Sequence, residues 1–188
     1  MSKTIEIKRQ RFEFGDVWRT YKTDDEPDLL KIKQGVDGTK DTDIVALWDN
    51  RRLFLMEVTD LRGFRIENRD KLSRGPMVQE FVQKIRETIP AIVGAFHSAP
   101  HKDQWDAFVE KLVDRNERIY VVLWMEQDTS RNPYERKRRA NEMSAFVTYI
   151  KKHLGWLKPH VLVESMETYG QRLGDLRVTN LAGVGQHS

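Results

Sequence analysis

The chain has 188 residues, 39% of them hydrophobic and 32% charged, with a net charge of only +3 and no cysteine. That length favours one domain, and the missing thiols exclude disulfide frameworks, thiolate zinc sites and cysteine nucleophiles. A mean hydropathy of -0.65, no apolar leader in the opening MSKTIEIKRQRFEF, and no apolar run near the roughly 18 residues of a membrane span predict a soluble cytoplasmic protein.

Residues 3–15, KTIEIKRQRFEFG, alternate apolar and polar, and Ile5, Ile7, Phe12 and Phe14 predict a strand or hairpin edge closed by Gly15. GDVWRTYK follows as packing material rather than a base platform, and KTDDEPD (22–28) and KQGVDGTKDT (33–42) read as polar loops. DIVALW and RLFLMEV are apolar runs flanking a tight polar turn, which predicts an antiparallel hairpin over 43–48 and 52–59. Both runs are apolar on both faces, so the hairpin is expected to be central and covered by helices.

RGPMVQEFVQKIRETIPAIVGAFHS predicts a long helix, with Pro76 at its first position and Met77, Phe81, Ile85, Ile89, Val93 and Phe96 at helical spacing. Pro90 is expected to kink or split it. DQWDAFVEKLVD (103–114) predicts a second helix and RIYVVLWME (118–126) a third core strand. NPYERKRRANEMSAFVTYIKKHLGWL predicts another long helix, HVLVES a fourth strand, and LRVTNLAG an edge strand. The order predicts one mixed α/β domain over 1–182, a small central mixed sheet flanked by helices, with GVGQHS (183–188) as a frayed tail.

Within the predicted hairpin, Glu57 interrupts an apolar run. If the turn is Asp49-Asn50-Arg51, Trp48 pairs with Arg52 and Asp43 falls opposite Glu57 on one face, with Thr59 on that face too. A four-residue turn would send the two carboxylates apart. Side by side they repel unless one protonates or a cation lies between them, and a hard divalent ion such as Mg2+ suits them. Asp41 and Asp60 read as solvated strand ends, and Asp37 as a loop residue.

TDIVALWDNRRLFLMEVTDLRG resembles the motif hairpin of the PD-(D/E)XK, restriction-endonuclease-like nuclease superfamily, in which an Asp opens one strand and an acidic-x-Lys triplet lies on the next. The helical stretch after it resembles the helix that follows in many members, so the likeness spans roughly residues 39–97. It implies a nuclease that cleaves DNA with Mg2+ or Mn2+, with Asp43, Glu57 and the Val58 carbonyl as metal ligands. The motif departs at Thr59, where the family has its lysine, and a hydroxyl supplies no positive charge. Some members carry that lysine on a neighbouring element, and Lys84 on the following helix is the candidate, although its long stem favours the reading of a surface lysine that covers apolar surface. The departure implies either an active enzyme or an inactive nucleic-acid- or protein-binding module of the same fold.

Arg62, Arg65, Arg69, Lys71 and Arg74 leave directly from the Glu57 strand and are the better phosphate-contact candidates. RNPYERKRRAN reads as a solvated helix face with pairs such as Arg138 with Glu142. His97 and His101 lack a zinc-site pattern, and no phosphate-binding loop or serine elbow is present. DNA is the expected partner, with room for a protein partner or a homodimer.

Overall fold

The alternation in KTIEI and QRFEF produces two antiparallel strands, β1 (Lys3–Ile7) and β2 (Gln10–Phe14), joined through Lys8 and Arg9. The computed structural model describes residues 2–35, 37–63, 75–100, 102–116, 118–128 and 132–181, so the expected tail at 183–188 lies outside the described residues. Strand β3 (Trp18–Lys22) follows, then a short helix α1 (Pro27–Lys33), and the apolar runs β4 (Ile44–Trp48) and β5 (Arg52–Asp60). Helices α2 (Pro76–Ser98) and α3 (Asp106–Val113) lead to β6 (Arg118–Glu126). Helix α4 (Pro133–His153), β7 (His160–Glu164) and β8 (Leu176–Asn180) complete the described chain.

Mixed α/β architecture is present, but with two sheets rather than one. A five-stranded sheet runs β3-β4-β5-β6-β7, and a three-stranded antiparallel sheet runs β1-β2-β8. In the larger sheet β3, β4 and β5 are antiparallel, whereas β5, β6 and β7 are parallel. The helices do not cover both of its faces. Val45, Leu47, Leu53 and Leu55 pack with Phe81, Ile85, Phe108 and Ile150 from the helices. Ala46, Phe54, Met56 and Val58 on the other face pack with Phe12, Phe14 and Val178 of the small sheet. A strand that is apolar on both faces demands cover on both sides, and an alternating hairpin provides it as well as a helix does.

Two stretches not assigned to a helix or strand from the sequence are ordered. Residues 18–22 form β3, with Trp18 and Thr20 buried. Part of the expected loop at 22–28 is the start of α1, where Pro27 occupies a first helical position and Leu29 is buried. Ile32 of α1 lies against α2 at Gly94, where a Cβ would come within 2.9 Å of Ile32 Cδ1. The long helix is a single element that runs through Pro90, which sits on its exposed side.

The β4–β5 turn places Asp49 at φ 52° and Asn50 at φ 50°. A β-branched residue tolerates that left-handed region poorly. Asn50→Val is expected to cost about 1–2 kcal/mol in a urea melt; an unchanged midpoint would show that the turn relaxes without penalty.

Candidate functional site

The hairpin register is Trp48 opposite Arg52 through Ile44 opposite Met56, so the next pair is Asp43 with Glu57. Because β4 ends at Ile44 while β5 continues to Asp60 along β6, the β4-facing edge of β5 loses its ladder partner just beyond Met56. Side chains supply the missing partners. The Val58 N–H donates to Asp43 Oδ2 at 2.7 Å, and the Val58 carbonyl accepts from Lys8 Nζ, delivered by the β1–β2 turn. Lys8 holds φ 54°, the left-handed conformation that lets the short turn close.

Glu57 follows Leu53 and Leu55 on the helix-facing side and is 7% exposed. Lys84 stands on α2 beside the buried Phe81 and Ile85, and its Nζ donates to Glu57 Oε1 at 2.7 Å. Glu57 Oε2 is buried without a hydrogen-bond partner. Burial and then the Asp43 charge push the Glu57 carboxyl up to about 7, against the pull of Lys84 and Lys8. Burial works against the Lys84 ammonium, yet the Glu57 charge and hydrogen bond outweigh it and raise its pKa. The site is therefore a carboxylate pair in a poorly solvated corner, flanked by two amines from different layers. Thr59 is half-buried on the same face as Glu57 and brings no charge. Among the described residues, no three His, Cys, Asp or Glu side chains gather into one metal-binding group.

A second charged cluster adjoins this one. Asp60 is not a solvated strand end: its side chain is 3% exposed and takes ion pairs from Arg9 and Arg62, both at 2.7 Å. Burial raises its pKa, but hydrogen bonds from Arg62 and Arg9 prevail and hold it well below the usual carboxylate range. Arg62 also donates to Asn180 Oδ1 at 2.6 Å, so its guanidinium is turned inward rather than presented to a ligand. Asp41 is likewise buried and paired with Lys33 at 2.7 Å. Arg9 reaches Asp60 from 51 residues away and Lys33 reaches Asp41 from eight residues away, pairings that local polarity does not reveal.

Arg65, Arg69, Lys71 and Arg74 lie outside the described residues, as does His101. His97 makes an edge contact with Phe96, and Arg138 pairs with Glu142 at 3.5 Å. Lys8 is the residue that sequence reasoning missed. Its available signal was a pair of basic residues placed between two short alternating strands, where a turn must project them. Compared with known proteins, the chain matches no protein family, no curated protein and no solved structure. Among the described residues, no helix is long and apolar enough to cross a membrane.

Proposed function

We propose that the protein is a PD-(D/E)XK-like nuclease that hydrolyses DNA phosphodiester bonds with Mg2+ or Mn2+. The observation that carries this is the meeting of Asp43, Glu57 and Lys84 at the open edge of β5, from three separate elements. The donor set fits a hard cation. Two carboxylates share one face, and Glu57 Oε2 is buried without a hydrogen-bond donor, which leaves it open to a cation. Asp43, Glu57 and the Val58 carbonyl would hold the ion, once Lys8 yields that carbonyl. A divalent ion there would supply Lewis-acid stabilisation of phosphate charge and lower the pKa of a water.

The chain's own part is positioning and charge. Lys84, fixed on Glu57, can offset phosphate charge or hold a proton in place of the amine that Thr59 lacks. The basic segment that follows β5 in the sequence, with Arg65, Arg69, Lys71 and Arg74, would engage the DNA backbone. An inactive nucleic-acid- or protein-binding module of the same fold is the alternative. It is favoured by Thr59 in the motif position and by the Lys8 ammonium on the carbonyl that a metal would use.

Cleavage of plasmid and single-stranded DNA with Mg2+ or Mn2+ separates the two. Wild type should cut, Glu57→Ala and Lys84→Ala should lose at least about 100-fold, the scale of a positioned acid–base group, and Thr59→Lys should raise the rate. Cutting that survives Glu57→Ala would sink the site assignment. Inactive wild type with active Thr59→Lys would establish the inactive module instead.

A further inference from the structure

At the amino ends of the parallel strands, the sheet face that packs on β1, β2 and β8 reaches solvent: Tyr120 is half-buried there and His160 exposed. Phe54 of β5 lies opposite Tyr120 of β6, and Tyr120 opposite His160 of β7. Their rings form a ladder. Phe54 and Tyr120 stack at 4.7 Å with 16° between their planes, and Tyr120 and His160 at 5.0 Å with 24°. Those separations are the spacing of neighbouring strands, so each ring stands upright on the sheet and covers the next. Strand β7 is the outermost of the five, and the ladder stops at His160 with one ring face turned away from the sheet.

A row of cations runs beside the rings. Two residues before Phe54 and Tyr120, on the same face, Arg52 lies opposite both Trp48 and Arg118. The Arg52 guanidinium sits over the Trp48 ring at 4.4 Å and 5.9 Å from the centre of the Tyr120 ring. Lys151 joins them from the last turn of α4. Burial, and then the charges of Arg118, Lys151 and Arg52, hold the His160 pKa below its ordinary value, with no carboxylate in that balance. The imidazole is therefore a neutral flat ring in a positive field. Among the described residues none of these three cations pairs with a carboxylate, and Asp49 in the β4–β5 turn is offset by Arg51 at 3.7 Å. No Asp or Glu occurs from Met143 to Val163, a stretch that adds Lys152, Lys158 and Trp156. Trp156 is 61% exposed in the turn between α4 and β7.

We propose that this surface binds single-stranded nucleic acid, with a base stacked on the open face of His160 and the adjoining phosphates on Arg52, Arg118 and Lys151. A ring ladder with one uncovered end accepts a further planar ring, and a row of unpaired cations accepts a polyanion. A nucleic-acid strand carries both. In a duplex the base faces are stacked inside, so only an unpaired strand can offer one. An anionic bilayer would also attract the cations, but an interfacial anchor needs a broad apolar face. Here Trp156 stands alone, because Ile150 and Leu154 are buried in the core. The surface goes beyond the proposed nuclease function. Arg52 and Glu57 leave opposite faces of β5 and lie about 17 Å apart along it.

The test is fluorescence anisotropy of the full chain in EDTA with labelled oligothymidylate and with its duplex, beside co-sedimentation with phosphatidylserine vesicles. The single strand should bind at least about tenfold more tightly than the duplex. His160→Ala should weaken it about tenfold, the scale of one base–aromatic stack, and His160→Phe should keep the affinity. Arg118→Ala with Lys151→Ala should lower the slope of log affinity against log salt by about 1.4, at about 0.7 for each phosphate contact. His160, Arg118 and Lys151 are exposed, so these changes leave the core closed. EDTA withholds the ion that cleavage needs, which separates the two readings. An inactive wild type with His160-dependent binding would uphold this surface while the nuclease reading fails; an active enzyme whose binding ignores His160→Ala would do the reverse. Equal affinity for strand and duplex, equal loss in His160→Phe and His160→Ala, no binding of the strand at low salt, or binding to vesicles alone would overturn the proposal.

Discussion

Lys84→Met is expected to destabilise the protein by about 2 kcal/mol at pH 8 and by little at pH 5. The two conditions differ in the state of Glu57. Its ordinary value is 4.5, and in the folded protein it is pushed up to about 7. Below pH 4.5 the carboxyl is protonated in folded and unfolded chains alike. Between 4.5 and 7 the folded state binds more protons, so stability falls as pH rises through that window and stays at the lower level above it. Lys84 limits the fall by offering the ionised carboxylate a charge at 2.7 Å. Without that ammonium, Glu57 must either carry an unpaired charge beside Asp43 or keep its proton against the solution pH. Removing one partner of a fully buried pair costs about 3–5 kcal/mol. The Lys84 side chain is 18% exposed, and solvent screening lowers that cost to about 2 kcal/mol. Urea melts of wild type and variant at pH 5 and pH 8 measure the difference. An equal cost at both pH values would mean that Lys84 contributes through packing of its stem and not through the charge on Glu57.

The carboxylate pair was legible because it is local. Apolar runs around Asp49-Asn50-Arg51 restrict the hairpin to few registers, and period-two alternation then places Asp43 and Glu57 together. Lys84 was legible as a candidate because its neighbours Phe81 and Ile85 had to face the core. What escaped was long-range. Lys8 and Arg9 come from a hairpin in another sheet, 50 or more residues away from Val58 and Asp60. Nothing in KTIEIKRQRFEFG indicates which surface that hairpin covers, because its apolar face fits any apolar layer. Strand β3 escaped for a related reason. Only Trp18 and Thr20 of its five residues are buried, too short an alternation to stand out from a loop. Helix α1 buries only Leu29, and one apolar residue has no period.

Affinity for Mn2+ is expected to rise about tenfold between pH 6 and pH 8, because the ion must displace the proton that Glu57 holds up to about 7. At pH 6 most of the folded protein carries that proton, and binding must first remove it; at pH 8 the carboxylate is already free. Glu57→Gln should remove both the affinity and its pH dependence while leaving the fold intact, since the amide keeps the side chain's size without its charge. Lys8 supplies the complementary test. Its ammonium donates to the Val58 carbonyl and lowers the pKa of Glu57 by its charge, so it occupies the place and part of the role that a metal ion would take. Lys8→Ala should therefore tighten Mn2+ binding, because it frees an oxygen ligand and removes a repelling cation. The same change raises the pKa of Glu57, so the tightening should be larger at pH 8 than at pH 6. Calorimetric titration with Mn2+ at both pH values, with proton release read from buffers of different ionisation enthalpy, measures each part. Affinity that does not vary with pH would remove Glu57 from the ligand set. Weaker binding in Lys8→Ala would mean that the amine holds the open edge of β5 in the geometry the ion needs, and that metal and lysine act together there instead of competing.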